Sequence, residues 1–346
     1  MQTCQMTLTE IHDLAYNALI AAGTTPDNAR YLAQATADTE ADGVASHGLA
    51  YIPIYCEHVQ CGKVDGKAEV KVSQPKPGAV VVDAANGFAH PAIEAGLDAL
   101  AEAAQTNGIA VLSIKNSYNC GVLGVHTARI ARMGLLALGA TNAPASIAPS
   151  GGAKPVVGTN PFSMATPNGE GGVGILIDQS ASVIAKSEVM KHNREGQPIP
   201  LGWALDSEGQ PTTDPAAGLA GSMAPAGDYK GVGLALIVEV LAAALSGSNL
   251  GTEASPFSGT AGGPPGTGQC FIAIDPSVAS NHSIAKITQL IESILDQSGA
   301  RLPGQNRGAK RELAQQQGVA VNQATIDKIK AVIESYQKRP PTADEF

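Results

Sequence analysis

From Ala79 the sequence alternates short, β-branched apolar runs with longer amphipathic ones, and this restricts the chain to folds that layer helices on a sheet. The strand candidates are AVVVDA (79–84), IAVLSIKN (109–116), LLALGATNA (135–143), GILIDQS (174–180) and QCFIAIDP (269–276). Between them HPAIEAGLDALAEAAQTNG (90–108) and a shorter stretch from Val122 to Met133 carry helical spacing. An α/β or α+β centre is expected.

The ends read differently. Thr7 and Glu10 form a capping-box pattern, after which Ile11, Leu14, Ala15, Ala18 and Leu19 recur at helical spacing until Gly23. Pro26 suits the first turn of a second helix reaching Ala41 and stopping at Gly43. Residues 46–66 open as a loop or helix start. Ser283 to Asp296 and Ala324 to Tyr336 are helical again, through Ile284, Ile287, Leu290, Ile291 and Ile294, then Ile326, Ile329, Val332 and Ile333. A chain of 346 residues accommodates about two domains. The expected division is an N-terminal helical part (1–70), a central α/β domain (71–276) and C-terminal helices (277–346) packing with the N-terminal part, with residues 338–346 as a frayed tail.

Three further segments carry expectations. Val232 to Ser246 is strongly apolar, but at about 15 residues with Glu239 inside it is too short for the roughly 20 that a bilayer requires, so a buried helix is expected. Residues 191–227, rich in Gly, Pro, Asp and Thr, read as a long surface excursion anchored by Trp203. Residues 255–268 read as a second Gly/Pro loop.

Composition narrows the partners. Twenty-two Lys and Arg against 31 Asp and Glu give a net charge of −9, a field that repels phosphate backbones and anionic lipid, so neither nucleic acid nor a membrane is expected. The five cysteines form no CxxC pair, so neither a disulfide framework nor a metal site is indicated. The opening MQTCQMTLTEIHD lacks the features of a signal peptide, and a reducing cytoplasm is the expected location.

Phosphate-loop patterns are missing: neither GxGxxG nor GxxxxGK[ST] occurs, and GGVG (171–174) precedes a strand instead of following one. GxSxG, HExxH and the EF-hand loop are absent too. What remains are small polar clusters at element ends: Ser46-His47-Gly48, Asn116-Ser117-Tyr118-Asn119, Gly158-Thr159-Asn160-Pro161, Asp178-Gln179-Ser180 and Tyr229-Lys230-Gly231. His47 can exchange protons near neutrality, or simply cap a turn. Asp178 can orient an imidazole, or form a strand-end turn. The 158–161 segment can be a plain proline turn. Lys230 opposes the dipole of the helix it begins, which suits a bound anion, or it is a solvated first-turn residue.

Taken together, the clusters fall within stretches whose order resembles the type-2 malate/L-lactate dehydrogenase family of nicotinamide-dependent oxidoreductases. These are SHGLAYIPIY (46–55), NGFAHPA (86–92), IAPSGGAKPVVGTNPFSMATP (147–167), LIDQSAS (176–182), GQPIPLGWALDSEGQPTTDP (196–215), GDYKGVGLALIVEVL (227–241), GGPPGTGQCFIAIDP (262–276) and RLPGQNR (301–307). The resemblance implies a non-Rossmann cofactor domain with a largely antiparallel sheet, a helical domain built from both chain ends, and a homodimer. It also implies NADP or NAD as coenzyme and a small carboxylate substrate. Family members act on malate, lactate, ureidoglycolate, sulfolactate or diketogulonate, and one branch reduces pyrroline-2-carboxylate and piperideine-2-carboxylate. The excursion after Arg194 and the GGPPGTG loop are most similar to that imine-reducing branch.

By the same resemblance His47 is the proton donor, Asp178 orients or charges its imidazole, and Ser46 is a nearby hydrogen-bonding partner. Coenzyme placement falls to Ser117, Tyr118, Asn119 and Gly121, to Thr159, Asn160 and Pro161, and to Ser180, Tyr229, Lys230, Gly304 and Arg307, the last facing the 2′-phosphate of NADP. Two departures bear on the substrate. Tyr51 stands where many relatives carry an arginine that clamps the substrate carboxylate, and Tyr118-Asn119 replaces a common His-His. Tyr51 and Lys154 are therefore assigned to the substrate, with Lys186 or backbone amides as alternatives. The expected reaction is reduction of a 2-oxo acid or cyclic 2-imino acid, with oxidation of a 2-hydroxy acid (malate, lactate, sulfolactate or ureidoglycolate) as the alternative. An inert binding protein on the same scaffold and a hydrolase using Ser46, His47 and Asp178 are the rival readings.

Overall fold

A computed structural model describes residues 2–337, so the tail expected at 338–346 lies outside the described residues. In chain order the first elements are β1 (Thr3–Met6), α1 (Leu8–Ala21), α2 (Pro26–Ala41), α3 (Ile52–Gln60), β2 (Lys71–Lys76), β3 (Ala79–Asp83) and α4 (Ala89–Asn107). Next come β4 (Ile109–Ser117), α5 (Leu123–Arg132), β5 (Leu136–Thr141), β6 (Phe162–Pro167), β7 (Val173–Gln179) and α6 (Lys186–Glu195). They are followed by β8 (Ala204–Leu205), β9 (Pro211–Thr212), α7 (Pro215–Ala220), β10 (Ser222–Met223) and α8 (Tyr229–Glu239). The last are β11 (Thr267–Ile274), α9 (Ser283–Leu295), α10 (Gln305–Gln317), β12 (Val319–Asn322) and α11 (Gln323–Gln337). The chain divides into two compact units, one of residues up to 68 together with those from 306, the other Glu69–Gln305.

In the first unit local signals set the helix ends. Thr7 Oγ1 accepts from the Glu10 amide (3.2 Å) while Glu10 Oε2 accepts from the Thr7 amide (2.8 Å), the reciprocal pair the spacing predicts. Ile11, Ala15, Ala18 and Leu19 are fully buried on one face of α1, which packs against α2 and α11. The chain ends are also joined by a strand pair: β1 runs antiparallel to β12, from Thr3 opposite Asn322 to Met6 opposite Val319.

The second unit is built on a seven-stranded sheet of order β2-β3-β4-β11-β5-β6-β7. Only the β3–β4 pair is parallel, so the α/β centre has a mostly antiparallel sheet. Helix α4 lies on it so closely that a Cβ on Gly96 would come within 2.5 Å of Leu112 Cδ1, which is why a glycine stands there. Val80, Val82, Ile93, Leu100, Leu112 and Phe271 form the centre of this core.

Three expectations need correction. Helix α9 was expected to join the N-terminal part, yet it belongs to the second unit, where Ile284 and Ile291 lie over Gly169 and Gly174 of the β6–β7 hairpin. Its apolar stripe finds glycine-lined backbone close at hand, and only residues from 306 join the N-terminal helices. The excursion after Lys191 is more than a loop: α6, α7 and a three-stranded sheet of order β10-β8-β9 enclose Val189, Ile199, Ala204 and Met223, with Trp203 packed on them as the expected anchor. The apolar segment 232–246 is only half buried. Its inner face carries Val232, Ala235, Val238, Ala242 and Ala243, but Leu236, Ile237, Val240 and Leu245 are 50–62% exposed. Beyond Glu239 this helix widens into a π-helical turn, Val240–Ala244, beside β11. There Gly268 touches the helix so tightly that a Cβ would clash with the Ala242 carbonyl.

Candidate active site

Candidate groups occur in both units. In the first, α2 ends at Asp42 and the chain makes two short 3-10 turns, Ala45–His47 and Leu49–Tyr51, before α3. His47 is half-buried, with Nδ1 3.0 Å from the Ser46 hydroxyl. Its ring is parallel to that of Tyr51, centroids 5.9 Å apart and planes within 2°, and Tyr51 in turn meets the edge of Tyr55 at 4.9 Å. Tyr51 therefore places its ring alongside the imidazole.

Beneath this turn lies Glu40, which sequence reasoning passed over. Its side chain is buried, and Oε1 accepts a 2.8 Å hydrogen bond from the Leu49 amide. Burial pushes its carboxyl above the ordinary value, and the Leu49 N–H acts in the opposite direction. The available signal was its helical spacing from Thr36, Ala37 and Ala41, all buried on α2.

The same end of α2 is clasped by α10. Arg311 donates to Asp42 Oδ1 (2.8 Å), to Asp38 Oδ1 (2.6 Å) and to the Asp38 carbonyl (3.2 Å). Burial raises the Asp42 carboxyl, opposed by Arg311 and by Arg307. Arg307 thus lies within electrostatic reach of the helix end that leads into the His47 turn.

In the second unit Asp178 sits half-buried at the end of β7, paired across from Ser163 of β6. It lies near the 117–121 loop: the Cys120 thiol is pushed up to about 12, mainly by burial, and the Asp178 charge adds to the rise. Within that loop Asn119 Oδ1 accepts from the Gly121 amide (2.6 Å), and Gly121 takes φ +67°, the left-handed geometry that makes the turn tight.

A cleft of about 490 Å³ opens past the end of β7, lined by Gln179, Ser180, Ser182, Ile184, Lys230 and Leu234. Ser180 and Ser182 hydroxyls are 3.0 Å apart. Lys230 stands in the first turn of α8, which starts after Asp228 at φ +59° with no side-chain cap. Gly231 lets that turn approach the chain before it: a Cβ would come within 2.6–2.7 Å of the Ala226 backbone and the Ala181 carbonyl. Lys186, half-buried at the start of α6 and next to cleft-lining Ala185, has its ammonium pKa lowered by desolvation.

The other residues assigned from sequence to the coenzyme or the substrate have varied surroundings. Asn160 is fully buried; its amide donates to the Ala235 carbonyl (2.9 Å) and Glu239 Oε2 (2.7 Å) and accepts from the Ala143 amide (3.1 Å). It anchors α8 to the 158–161 turn. Ser117 and Tyr118 are 1% exposed, and the Tyr118 ring is packed edge-on to Phe88 and Phe257. Pro161 contributes its carbonyl to Thr141 (3.2 Å), and the Thr159 carbonyl accepts from Ala181 (2.8 Å), which aligns this turn with the cleft wall. Gly304 serves close packing: a Cβ there would meet Leu176 at 2.6 Å. Tyr229 is 66% exposed and Lys154 is exposed. Of the residues assigned to the coenzyme, the structure brings Ser180 and Lys230 into one cleft.

A profile of the malate/L-lactate dehydrogenase family matches residues 6–330. The chain belongs to this family. The chain is similar to a (2R)-3-sulfolactate dehydrogenase (NADP(+)) of Chromohalobacter salexigens, 42% identical over 329 residues, 94% of this chain and 97% of that protein. A Delta(1)-pyrroline-2-carboxylate/Delta(1)-piperideine-2-carboxylate reductase of Pseudomonas putida is 39% identical over 308 residues, 88% of this chain and 90% of that one. The crystal structure of delta1-piperideine-2-carboxylate reductase from Pseudomonas syringae superposes with a TM-score of 0.90 at 34% identity, covering 95% of this chain and 100% of that one. Family membership makes the chain an oxidoreductase. Among the described residues no helix is long and apolar enough to cross a membrane.

Proposed function

We propose that the chain is an NADP- or NAD-dependent reductase that delivers hydride to C2 of a small 2-oxo acid or a cyclic 2-imino acid of the pyrroline-2-carboxylate or piperideine-2-carboxylate type. The observation that carries this reading is the likeness to the imine reductases in sequence and in fold. The cleft suits a pyridine dinucleotide. Its wall combines an ammonium group, hydroxyls and the open N-terminus of α8, a set that attracts phosphate oxygens, and Gly231 lets that helix end pack on the Ala181 and Ala226 backbone. Ser180 and Lys230 would hold the coenzyme there, and Arg307 would take the 2′-phosphate of NADP.

When bound, the reduced coenzyme supplies the hydride. The chain supplies the proton. Reduction at C2 leaves charge on the neighbouring oxygen or nitrogen, and His47 neutralises it as general acid; in the reverse direction it is the base. Ser46 holds Nδ1 and the Tyr51 ring lies alongside, so the imidazole is oriented before substrate arrives. Asp178 is assigned by the resemblance to the same proton-transfer step. Lys154 and Tyr51 take the substrate carboxylate.

A second reading, oxidation of a 2-hydroxy acid, is favoured by the 42% identity to a sulfolactate dehydrogenase. The enzyme acts in the cytoplasm as a homodimer, and the exposed Leu236, Ile237, Val240 and Leu245 offer an apolar stripe to bury between copies. A spectrophotometric screen of pyruvate, oxaloacetate, sulfopyruvate, pyrroline-2-carboxylate and piperideine-2-carboxylate with NADPH and NADH tests the assignment. Turnover of a cyclic imine is expected; binding of neither coenzyme would show an inert scaffold.

A further inference from the structure

The turn bearing His47 is weakly held by its own backbone. Its local bonds are short-range ones, from the His47 amide to the Val44 carbonyl (3.0 Å), Gly48 to Ala45 (3.3 Å) and Tyr51 to Gly48 (2.9 Å), and neither 3-10 segment has a side-chain cap. Such turns adjust easily, so the direction of the imidazole depends on something outside the turn. The contact that meets this need comes from the preceding helix. Glu40 projects from the last turns of α2 under Gly48, where a Cβ would lie 2.1 Å from its Oε1 and 2.6 Å from its Cδ. The same Oε1 accepts from Leu49. The residue directly after His47 therefore rests on the carboxylate, and the next one is bonded to it. No cation is paired with Glu40 among the described residues, and a buried carboxylate without one lowers stability, so stability alone does not explain its presence.

We propose that Glu40 is a positioning residue for His47, its carboxylate acting through the Gly48–Leu49 backbone to fix the imidazole in the orientation needed for proton transfer. This rests on the reading of His47 as the proton donor. Glu40 touches neither substrate nor coenzyme. Its effect is on the proton-transfer step and not on coenzyme binding.

The test compares Glu40→Gln, Glu40→Asp, Glu40→Ala, Gly48→Ala and the double variant Glu40→Ala/Gly48→Ala with His47→Ala, in the intact protein, on the substrate turned over fastest in the screen. Glu40→Gln keeps an oxygen at the Oε1 position and should retain kcat within about 3-fold. Glu40→Ala and Gly48→Ala should each lose roughly 10–100-fold in kcat, the scale of an ångström of misplacement. In both, KM for the coenzyme should stay within about 3-fold, and the solvent deuterium isotope effect on kcat should rise as proton transfer becomes limiting. Glu40→Asp, which withdraws the acceptor by one methylene, should fall with Glu40→Ala. Because the Ala side chain at 40 vacates the space a Cβ at 48 requires, Gly48→Ala should cost little further in the Glu40→Ala background. Wild-type kcat in Glu40→Ala, or losses in all variants that follow coenzyme KM and melting temperature with an unchanged isotope effect, would overturn the proposal. If His47→Ala is inactive and Glu40→Ala normal, this inference alone fails; if His47→Ala turns over normally, the proton-donor reading fails and takes this one with it.

Discussion

In the unit formed by the two chain ends, charged side chains hold the turn that presents Ser46 and His47. Glu40 lies under it, and Arg311 clasps Asp38 and Asp42 at the helix end leading into it. In the unit formed by residues 69–305, the cleft beside Lys230 is shaped instead by backbone meeting backbone, where Gly231 packs on the Ala181 and Ala226 main chain. The two devices respond differently to mutation. A buried polar contact loses function or stability when one partner is removed, because the other is left unsatisfied. A glycine contact fails when anything is added. The contrast also matches the two proposed roles: a proton donor requires one side-chain orientation, while a coenzyme cleft requires a wall that phosphates and rings can approach.

The largest expected effect lies in the first unit. His47→Ala should reduce kcat by about 10²–10⁴-fold with coenzyme affinity nearly intact, as removal of a general acid does, and steady-state kinetics beside fluorescence titration of NADPH would show the split. Loss of affinity in step with kcat would erase the division of roles between the units. Next is Arg311→Ala, which strands Asp42, 6% exposed, without its guanidinium. It should destabilise by about 3 kcal/mol in urea unfolding. Retained stability would mean that the clasp is dispensable. Gly231→Ala should cost about 1–3 kcal/mol by overpacking and raise the coenzyme KM while sparing kcat at saturation, the reverse of the His47 pattern.

The smallest effect is pH-dependent. Burial raises the Glu40 pKa above its unfolded value near 4.5, so the ionised form is disfavoured in the folded chain at neutral pH, and that penalty is relieved as pH falls through the raised pKa. Glu40→Gln should therefore melt higher than the wild type near neutrality, and the difference should vanish toward pH 4.5. A stabilisation that grew on acidification would contradict the assigned direction.

What was legible in the sequence was local. The capping box at Thr7, the proline opening α2 and the apolar runs of β3, β4 and β11 each contain their own instruction. The β1–β12 pair was not legible, since two four-residue segments more than 300 residues apart find each other only through the packing of α1 on α11. The family resemblance identified the right chemical class, but it gives no view of what a polar side chain in its motifs bonds within the protein. Asn160 looks like a binding residue in a loop, and only the fold reveals that Glu239 and Ala235 occupy its amide. Glu40 shows the converse: a glutamate within a helix reads as solvated until Gly48 is seen to rest on it. The apolar run at 232–246 is readable as a helix, yet not which of its faces is covered, because burial depends on what packs against it.

The most direct measurement follows the hydride itself. NADPH carrying deuterium at the transferable C4 position, incubated with pyrroline-2-carboxylate and the enzyme, should give proline with a single deuterium at C2 by proton NMR, and His47→Ala should give almost none in the same time. Coenzyme oxidation without deuterium at C2, or full incorporation by the His47 variant, would contradict the account.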